Sequence, residues 1–296
     1  MRVLIVGCGY VGLELGRRLA SDGHEVHGIK RSRVNEEALR EAGVTPWFAD
    51  ITRPDGLHGV PTGFDWVVHS VAAGGKMDHY QSIYLDGTNH LLHWLEKAPP
   101  LKLVYTSSTS VYGQEDGSVV DENSPTEPIT EPAQVLAATE RRLLQAASME
   151  GSSAIPAVIL RLAGIYGPGR GFAFKTFLRG QARMDGEGNR IMNMIHREDV
   201  VGCIHAALLR GRPGEVYNAV DHEPVTQAEF FRWLSERTGR PMPPGGAEAK
   251  ARRRGNSNKR MCGRKLRTQL EYSFRHPDFR SGYSAELDAI FSQTKA

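Results

Sequence analysis

Apolar and polar positions along this chain alternate between two rhythms. Arg2 to Val6 is a continuous aliphatic run, the mark of a parallel strand buried on both faces. Tyr10 to Ala20 then sets Val11, Leu15 and Leu19 at helical spacing, and Gly23 supplies a stop. The same reading predicts strands over Glu25–Ile29, Thr45–Ala49, Asp65–His69, Leu101–Ser107 and Ala157–Leu162. Between them it predicts helices over Glu36–Glu41, Asp78–Lys97 and Ala133–Met149, with Pro99 and Pro100 closing the second. Strand and helix in alternation predict an α/β fold, a doubly wound, mostly parallel sheet with helices on both faces. After Gly167 the rhythm changes to glycines, short apolar runs and two helical segments, Arg197–Leu209 and Thr226–Thr238. The stretch from Gly239 onward is rich in Pro, Gly and Arg, and no element is assigned there.

Composition narrows the class. Of 296 residues, 40% are apolar and 24% charged, an ordinary globular profile that excludes a disordered or collagen-like chain. The 37 Lys+Arg against 34 Asp+Glu leave a net charge of +3, too little to imply a nucleic-acid or membrane partner. Cys8, Cys203 and Cys262 form no C-x-x-C pair, which fits a reducing compartment. No apolar run reaches the ~18 residues of a membrane span. The opening Met-Arg-Val-Leu-Ile-Val-Gly reads as a first strand rather than a signal peptide. A cytoplasmic protein is expected.

Gly7-Cys8-Gly9-Tyr10-Val11-Gly12 is a G-x-G-x-x-G string that follows a strand and opens a helix. In that setting each glycine has a mechanical role. Gly7 permits a tight turn, Gly9 the close approach of a diphosphate, and Gly12 close helix–strand packing. The helix N-terminus adds free N–H groups and partial positive charge. The sheet is therefore expected to be of the Rossmann type and to bind a dinucleotide. An acidic residue at the end of the second strand would accept the ribose 2′-OH. That place holds Lys30, Arg31 and Ser32, while Glu25 lies at the strand's start, too early to serve. Cations there attract a 2′-phosphate, so NADP(H) is expected over NAD(H), with NAD(H) as the alternative.

Further motifs sit at strand ends. They are Asp50-Ile51, Ser70-Val71-Ala72-Ala73-Gly74, Thr106-Ser107-Ser108-Thr109-Ser110-Val111-Tyr112-Gly113, Arg161-Leu162-Ala163-Gly164-Ile165-Tyr166-Gly167, Ile195-His196-Arg197-Glu198-Asp199 and Val216-Tyr217-Asn218-Ala219-Val220. With these in place the chain resembles the extended short-chain dehydrogenase/reductase family, which includes NAD-dependent epimerases and dehydratases, over nearly its whole length. The resemblance implies that Asp50 and Ile51 meet the adenine, and that Val71, Ala72 and Ala73 run along the cofactor. It places Gly164 and Ile165 near the nicotinamide end, adds Ser107 as a further cofactor-binding residue, and implies a small-molecule substrate and a homodimer. Residues 1–167 would form the dinucleotide-binding domain, and 168–296 an interleaved cap contributing the substrate cleft.

The family's chemistry rests on a Ser/Thr and a Tyr-x-x-x-Lys pair. Ser108 falls on the Ser/Thr position, but aligning Glu140 with the family's helical glutamate puts Pro132 at the Tyr and Leu136 at the Lys. Proline cannot donate a proton and leucine cannot tune one, so the chain resembles an atypical subgroup. Three readings stay open: an NADP(H)-dependent oxidoreductase with a relocated proton donor, a nucleotide-sugar epimerase or dehydratase, and a non-catalytic NADP(H)-binding regulator or scaffold. Tyr84 is the leading substitute acid, its alternative being a packing aromatic, and His196 is a further candidate. Tyr112 ranks lower as a structural tyrosine. Lys76, Lys175, Arg170 and Arg179 could carry charge to a substrate or simply be solvated. His90 and His93 are one turn apart without a third ligand, so no metal is expected. Lys250 to Arg254, with Lys259 and Arg260, is read as a solvated basic loop, and Cys8 as a small packing residue.

Overall fold

The computed structural model describes residues 1–74, 79–151, 154–246 and 257–294. Seven strands form its central sheet: β1 (Arg2–Val6), β2 (Glu25–Lys30), β3 (Val44–Phe48), β4 (Trp66–His69), β5 (Lys102–Ser108), β6 (Ala157–Leu162) and β7 (Val216–Ala219). Their order is β7-β6-β5-β4-β1-β2-β3, and every pairing is parallel. The last strand comes from beyond Gly167, so the sheet draws on both portions of the chain.

The central strands are rich in aliphatic residues because both faces are covered. Val3 and Ile5 of β1 enter one core cluster, Leu4 and Val6 the other, as the two-residue period of a strand requires. On the first face lie Leu15 and Leu19 of α1 (Tyr10–Ser21). α2 (Glu36–Glu41) adds Leu39 to the same cluster. The opposite face takes Leu91, Leu92 and Leu95 of α3 (Gly87–Leu95), with Leu143 and Ala146 of α4 (Glu131–Ala147). A third cluster joins Tyr166 to Phe174 and Phe177 of α5 (Phe172–Leu178). α6 (Arg197–Arg210) returns to the first face through Val200, Ile204 and Ala207. The third cluster also contains Phe230 and Phe231 of α7 (Gln227–Thr238). After α8 (Arg264–Gln269), it is completed by Phe279, Tyr283 and Leu287 of α9 (Phe279–Thr294).

Two expectations need correction. The helix predicted over Asp78–Lys97 contains, within the described residues, a π-helical turn at Gln81–Asp86 ahead of α3, which ends at Leu95. Beyond Gly239 the chain forms α8 and α9, where the sequence pattern assigns no element. The four-residue spacing of Phe279, Tyr283 and Leu287 is the signal that the Pro, Gly and Arg around it obscure. No helix among the described residues is long and apolar enough to cross a membrane.

Strand order reverses between β1 and β4, so the connections leaving their carboxyl ends diverge and open a crevice there.

Candidate functional site

The glycine loop lies at that crevice. Gly7 has φ +92, and a Cβ there would fall 2.6 Å from the Val71 amide nitrogen, so this turn admits only glycine. The Gly7 and Cys8 amides donate to the Ile29 carbonyl at 3.1 and 3.0 Å, and the Ser70 hydroxyl donates to the Gly7 carbonyl at 3.3 Å. A Cβ on Gly12 would lie 2.8 Å from the Gly7 carbonyl oxygen, whereas one on Gly9 would meet nothing within 4 Å. The loop is thus closed on its inner side and open at Gly9. α1 starts there with no side-chain cap, which leaves its first-turn N–H groups, at Tyr10, Val11 and Gly12, for an anion. These features fit the diphosphate of a dinucleotide. Burial pushes the Cys8 thiol up to about 12, so it packs as a neutral group.

At the end of β2 the cations divide. Lys30 donates from Nζ to the Val34 carbonyl at 2.6 Å, and Arg33 lies over the Phe48 ring at 4.5 Å while pairing with Glu36 at 2.9 Å. Arg31 and Ser32 are exposed. Asp50 accepts from the Thr52 amide at 3.0 Å and the Thr52 hydroxyl at 2.8 Å, and Ile51 is buried beside it. Val71, half-buried against the core, and Ala72, exposed, follow β4, and the Ala73 amide donates to the Tyr84 hydroxyl at 3.3 Å.

That bond places the Tyr84 phenol against the loop that follows β4. The ring is 9% exposed and packs on Tyr80 at 4.9 Å, and burial holds its pKa above the ordinary phenol value. Ser108, ending β5, accepts the Ser110 amide at 3.2 Å and caps the turn Thr109–Val111. Pro132 stands in the first turn of α4, and Leu136 is buried in the core. Neither position offers an acid. Gly164 is exposed and Ile165 half-buried after β6, where the Gly164 amide donates to the Asn193 carbonyl at 3.0 Å.

Ser107 turns its hydroxyl inward, donating to Glu140 at 2.5 Å, so a contact with a ligand falls to its main chain. Glu140 is held by Arg161, whose Nη2 lies 2.7 Å from Oε2 and whose Nε lies 3.1 Å from both oxygens. Arg161 also donates to the Tyr112 hydroxyl at 2.6 Å, which donates to Asn218 Oδ1 at 3.0 Å. The Glu140–Arg161 pair is buried, and sequence reasoning missed it. The available signal was a glutamate on the apolar stripe of α4 (Ala133, Leu136, Ala137, Leu143) facing an arginine inside an otherwise aliphatic strand.

His196 precedes α6, its Nδ1 accepting the Glu198 amide at 3.3 Å. It packs edge-on against Tyr166 and lies 3.9 Å, ring to ring, from His276. Burial foremost, then the His276 charge, holds His196 down to about 4, so the ring is neutral at pH 7. Ligand-type atoms of His196, Glu198 and His276 converge within 4.8 Å, a trio that residues 80 apart in sequence concealed. Asp199 anchors it, accepting the Arg275 and His276 amides at 2.7 and 3.0 Å and the Tyr272 hydroxyl at 2.8 Å. His90 and His93 instead take separate partners, the Ile51 carbonyl and Glu96.

Among the other cations, Lys175 donates to the Gly169 carbonyl at 2.6 Å, and Arg179 is exposed. Lys76 and Lys250 to Arg254 lie outside the described residues. Lys259, expected to be solvated, is only 4% exposed, its Nζ donating to the Tyr112 carbonyl at 2.7 Å and to Ser257 Oγ at 2.5 Å. Its neighbour Arg260 pairs in a short strand with Val119, which carries Lys259 into the interior, and burial lowers its pKa to about 8.

Residues 3–219 match the sequence model of the NAD dependent epimerase/dehydratase family. Protein YeeZ of Escherichia coli (strain K12) is 28% identical over 283 residues, covering 94% of this chain and 97% of its own. The structure of a functionally unknown conserved protein from Silicibacter pomeroyi superposes with a TM-score of 0.77 at 26% identity, covering 100% of this chain and 99% of that one. A UDP-glucuronic acid 4-epimerase from Bacillus cereus, solved with UDP-glucuronic acid and NAD, superposes with a TM-score of 0.82 at 21% identity, covering 99% and 100%. At that identity the last likeness speaks for the fold.

Proposed function

The chain belongs to the NAD dependent epimerase/dehydratase family, and from that premise we propose that it is an NADP(H)-dependent oxidoreductase acting on a small carbonyl, alcohol or sugar-like substrate. The observation that carries this reading is the loop at the β1–β4 crevice, closed by Gly7 and Gly12, open at Gly9 and uncapped at α1. Tyr10, Val11 and Gly12 amides would hold the diphosphate, and Asp50, Ile51, Val71, Ala72 and Ala73 would line the path from adenine to nicotinamide. Arg31, with its charge in solvent, would meet the 2′-phosphate. A bound nicotinamide supplies or accepts the hydride.

Acid chemistry then falls to this chain's own groups at the ends of β4 and β5. Ser108 would orient the substrate oxygen. Tyr84, protonated at neutral pH, would donate to it. Residues beyond Gly167 would form the substrate side, apart from β7, which belongs to the sheet. The three cysteines are all unpaired, in keeping with a reducing, cytoplasmic setting, and light scattering would test the homodimer that the family resemblance implies.

Pro132 and Leu136 favour a second reading, an NADP(H)-binding regulator without turnover. Titration of the purified protein with NADPH and NADH tests the shared premise: tighter binding of NADPH is expected, and tighter binding of NADH overturns the preference. A cofactor-bound structure separates the two readings. Nicotinamide C4 facing an open cavity beside Ser108 supports the enzyme, and C4 sealed by protein supports the regulator.

A further inference from the structure

We propose that Arg170 and Arg197, both distant in sequence from the glycine loop, form a clamp over it that binds the diphosphate of the dinucleotide. The inference rests on the dinucleotide reading and extends it to side chains from the far portion of the chain. Tyr10, the first residue of α1, is the junction. Its hydroxyl donates to the Pro168 carbonyl at 3.1 Å, tying the loop to the turn after β6. The Arg170 guanidinium lies 5.1 Å and the Arg197 guanidinium 4.9 Å from the Tyr10 ring centroid. A guanidinium stacked by its face on an aromatic ring keeps its N–H edge for oxygen acceptors, and a phosphate matches that fork.

The local charges leave this pair under-compensated. Glu14 lies 3.5 Å from Arg197 and also holds Arg17 at 3.0 Å. Glu286 acts on Arg197 at longer range and is shared with Lys175. Arg170 has no carboxylate at ion-pair distance among the described residues, and Arg197 Nε is buried without an acceptor there. Arg17 and Arg197 thus share Glu14, Lys175 and Arg197 share Glu286, and Arg170 lies with Arg197 against the Tyr10 ring. Like charges brought together repel, and an anion between them relieves it. Buried donors in folded proteins are otherwise almost always satisfied. An anion seated at the open side of Gly9, against the uncapped start of α1, would meet both needs.

The test is calorimetric titration of NADPH and of ADP-ribose, which has the diphosphate but neither 2′-phosphate nor nicotinamide. It is run on wild type, Arg170→Ala, Arg197→Ala and Arg197→Lys. Each alanine variant should weaken both ligands by a similar factor of about tenfold, the size of a lost charge-assisted contact. The lysine variant should recover part of that loss. Arg170 is exposed, so its variant keeps the test open should Arg197→Ala fold poorly. Unchanged ADP-ribose affinity in folded alanine variants, with wild type binding normally, overturns the clamp alone. Wild type binding none of NADPH, NADH and ADP-ribose overturns the dinucleotide reading and the clamp with it.

Discussion

Lys30 and Arg31 do not play equal parts at the end of β2. Lys30 commits its ammonium to the Val34 carbonyl, so the charge that discriminates a 2′-phosphate rests on Arg31. Arg31→Asp should therefore weaken NADPH binding by roughly 1.5–3 kcal/mol, the scale of a hydrogen bond to a charged group, and leave NADH nearly untouched. Fluorescence titration of both nucleotides checks it. Equal losses for the two would place Arg31 elsewhere. The missing acid is the second question at this scale. Serine is too weak an acid to act alone, and His196, neutral at pH 7, is a base before it is an acid. Tyr84, its pKa raised by burial, retains its proton and reaches the loop after β4. Once turnover is found, Tyr84→Phe should lower kcat by about 10²–10⁴-fold, the usual worth of a positioned general acid, with NADPH affinity unchanged. Full activity in the Phe variant would leave a bound water as the donor.

Between elements, the strongest polar tie is the one between α4 and β6. Glu140 and Arg161 are buried together, so removing either strands a charge in the interior. Glu140→Leu or Arg161→Leu should each cost about 3–5 kcal/mol, and the double variant should recover most of that. Urea midpoints over the full cycle measure it, and additive losses would deny the coupling. The elements themselves were largely legible, because β1, α2 and β6 begin and end where the apolar pattern places them. Period and punctuation are local properties, and so is the glycine loop with its following helix. Pairings across distance are not. Glu140 served only to set a register, Lys259 looked like part of a solvated run, and His276 had no visible link to His196. Each owes its environment to packing between segments that sequence spacing does not report. Pro132 and Leu136 fall where the sequence register puts them, eight and four residues before Glu140 on α4, because spacing along one helix is a local property.

For the whole molecule, buried titratable groups set how stability follows pH. His69 is fully buried and held down to about 3 by desolvation, and His196 to about 4. In the unfolded chain both take up a proton near pH 6.5, whereas the folded chain refuses it until pH is far lower. The unfolded state then binds more protons between about pH 4 and 6.5, so stability rises with pH across that window. Asp221 acts with the opposite sign. It is 2% exposed, its Oδ2 is buried without a donor among the described residues, and burial raises its carboxyl to about 8, aided by Asp278, Glu223 and Asp199. Above pH 6.5 the histidines are silent, while unfolded Asp221 is ionised and folded Asp221 still holds its proton. The folded state now binds more protons, so stability falls from pH 6.5 to about 8, by about 1.4 kcal/mol per pH unit at most for one proton. A maximum near pH 6.5 is expected in urea midpoints collected from pH 4 to 8. Asp221→Asn removes the proton but keeps the shape, so it should flatten the limb above pH 6.5 and steepen the rise below it, where Asp221 opposes the histidines. A wild-type midpoint that stays level from pH 6.5 to 8, or an Asn variant that still declines there, would show that Asp221 is ionised in the folded chain.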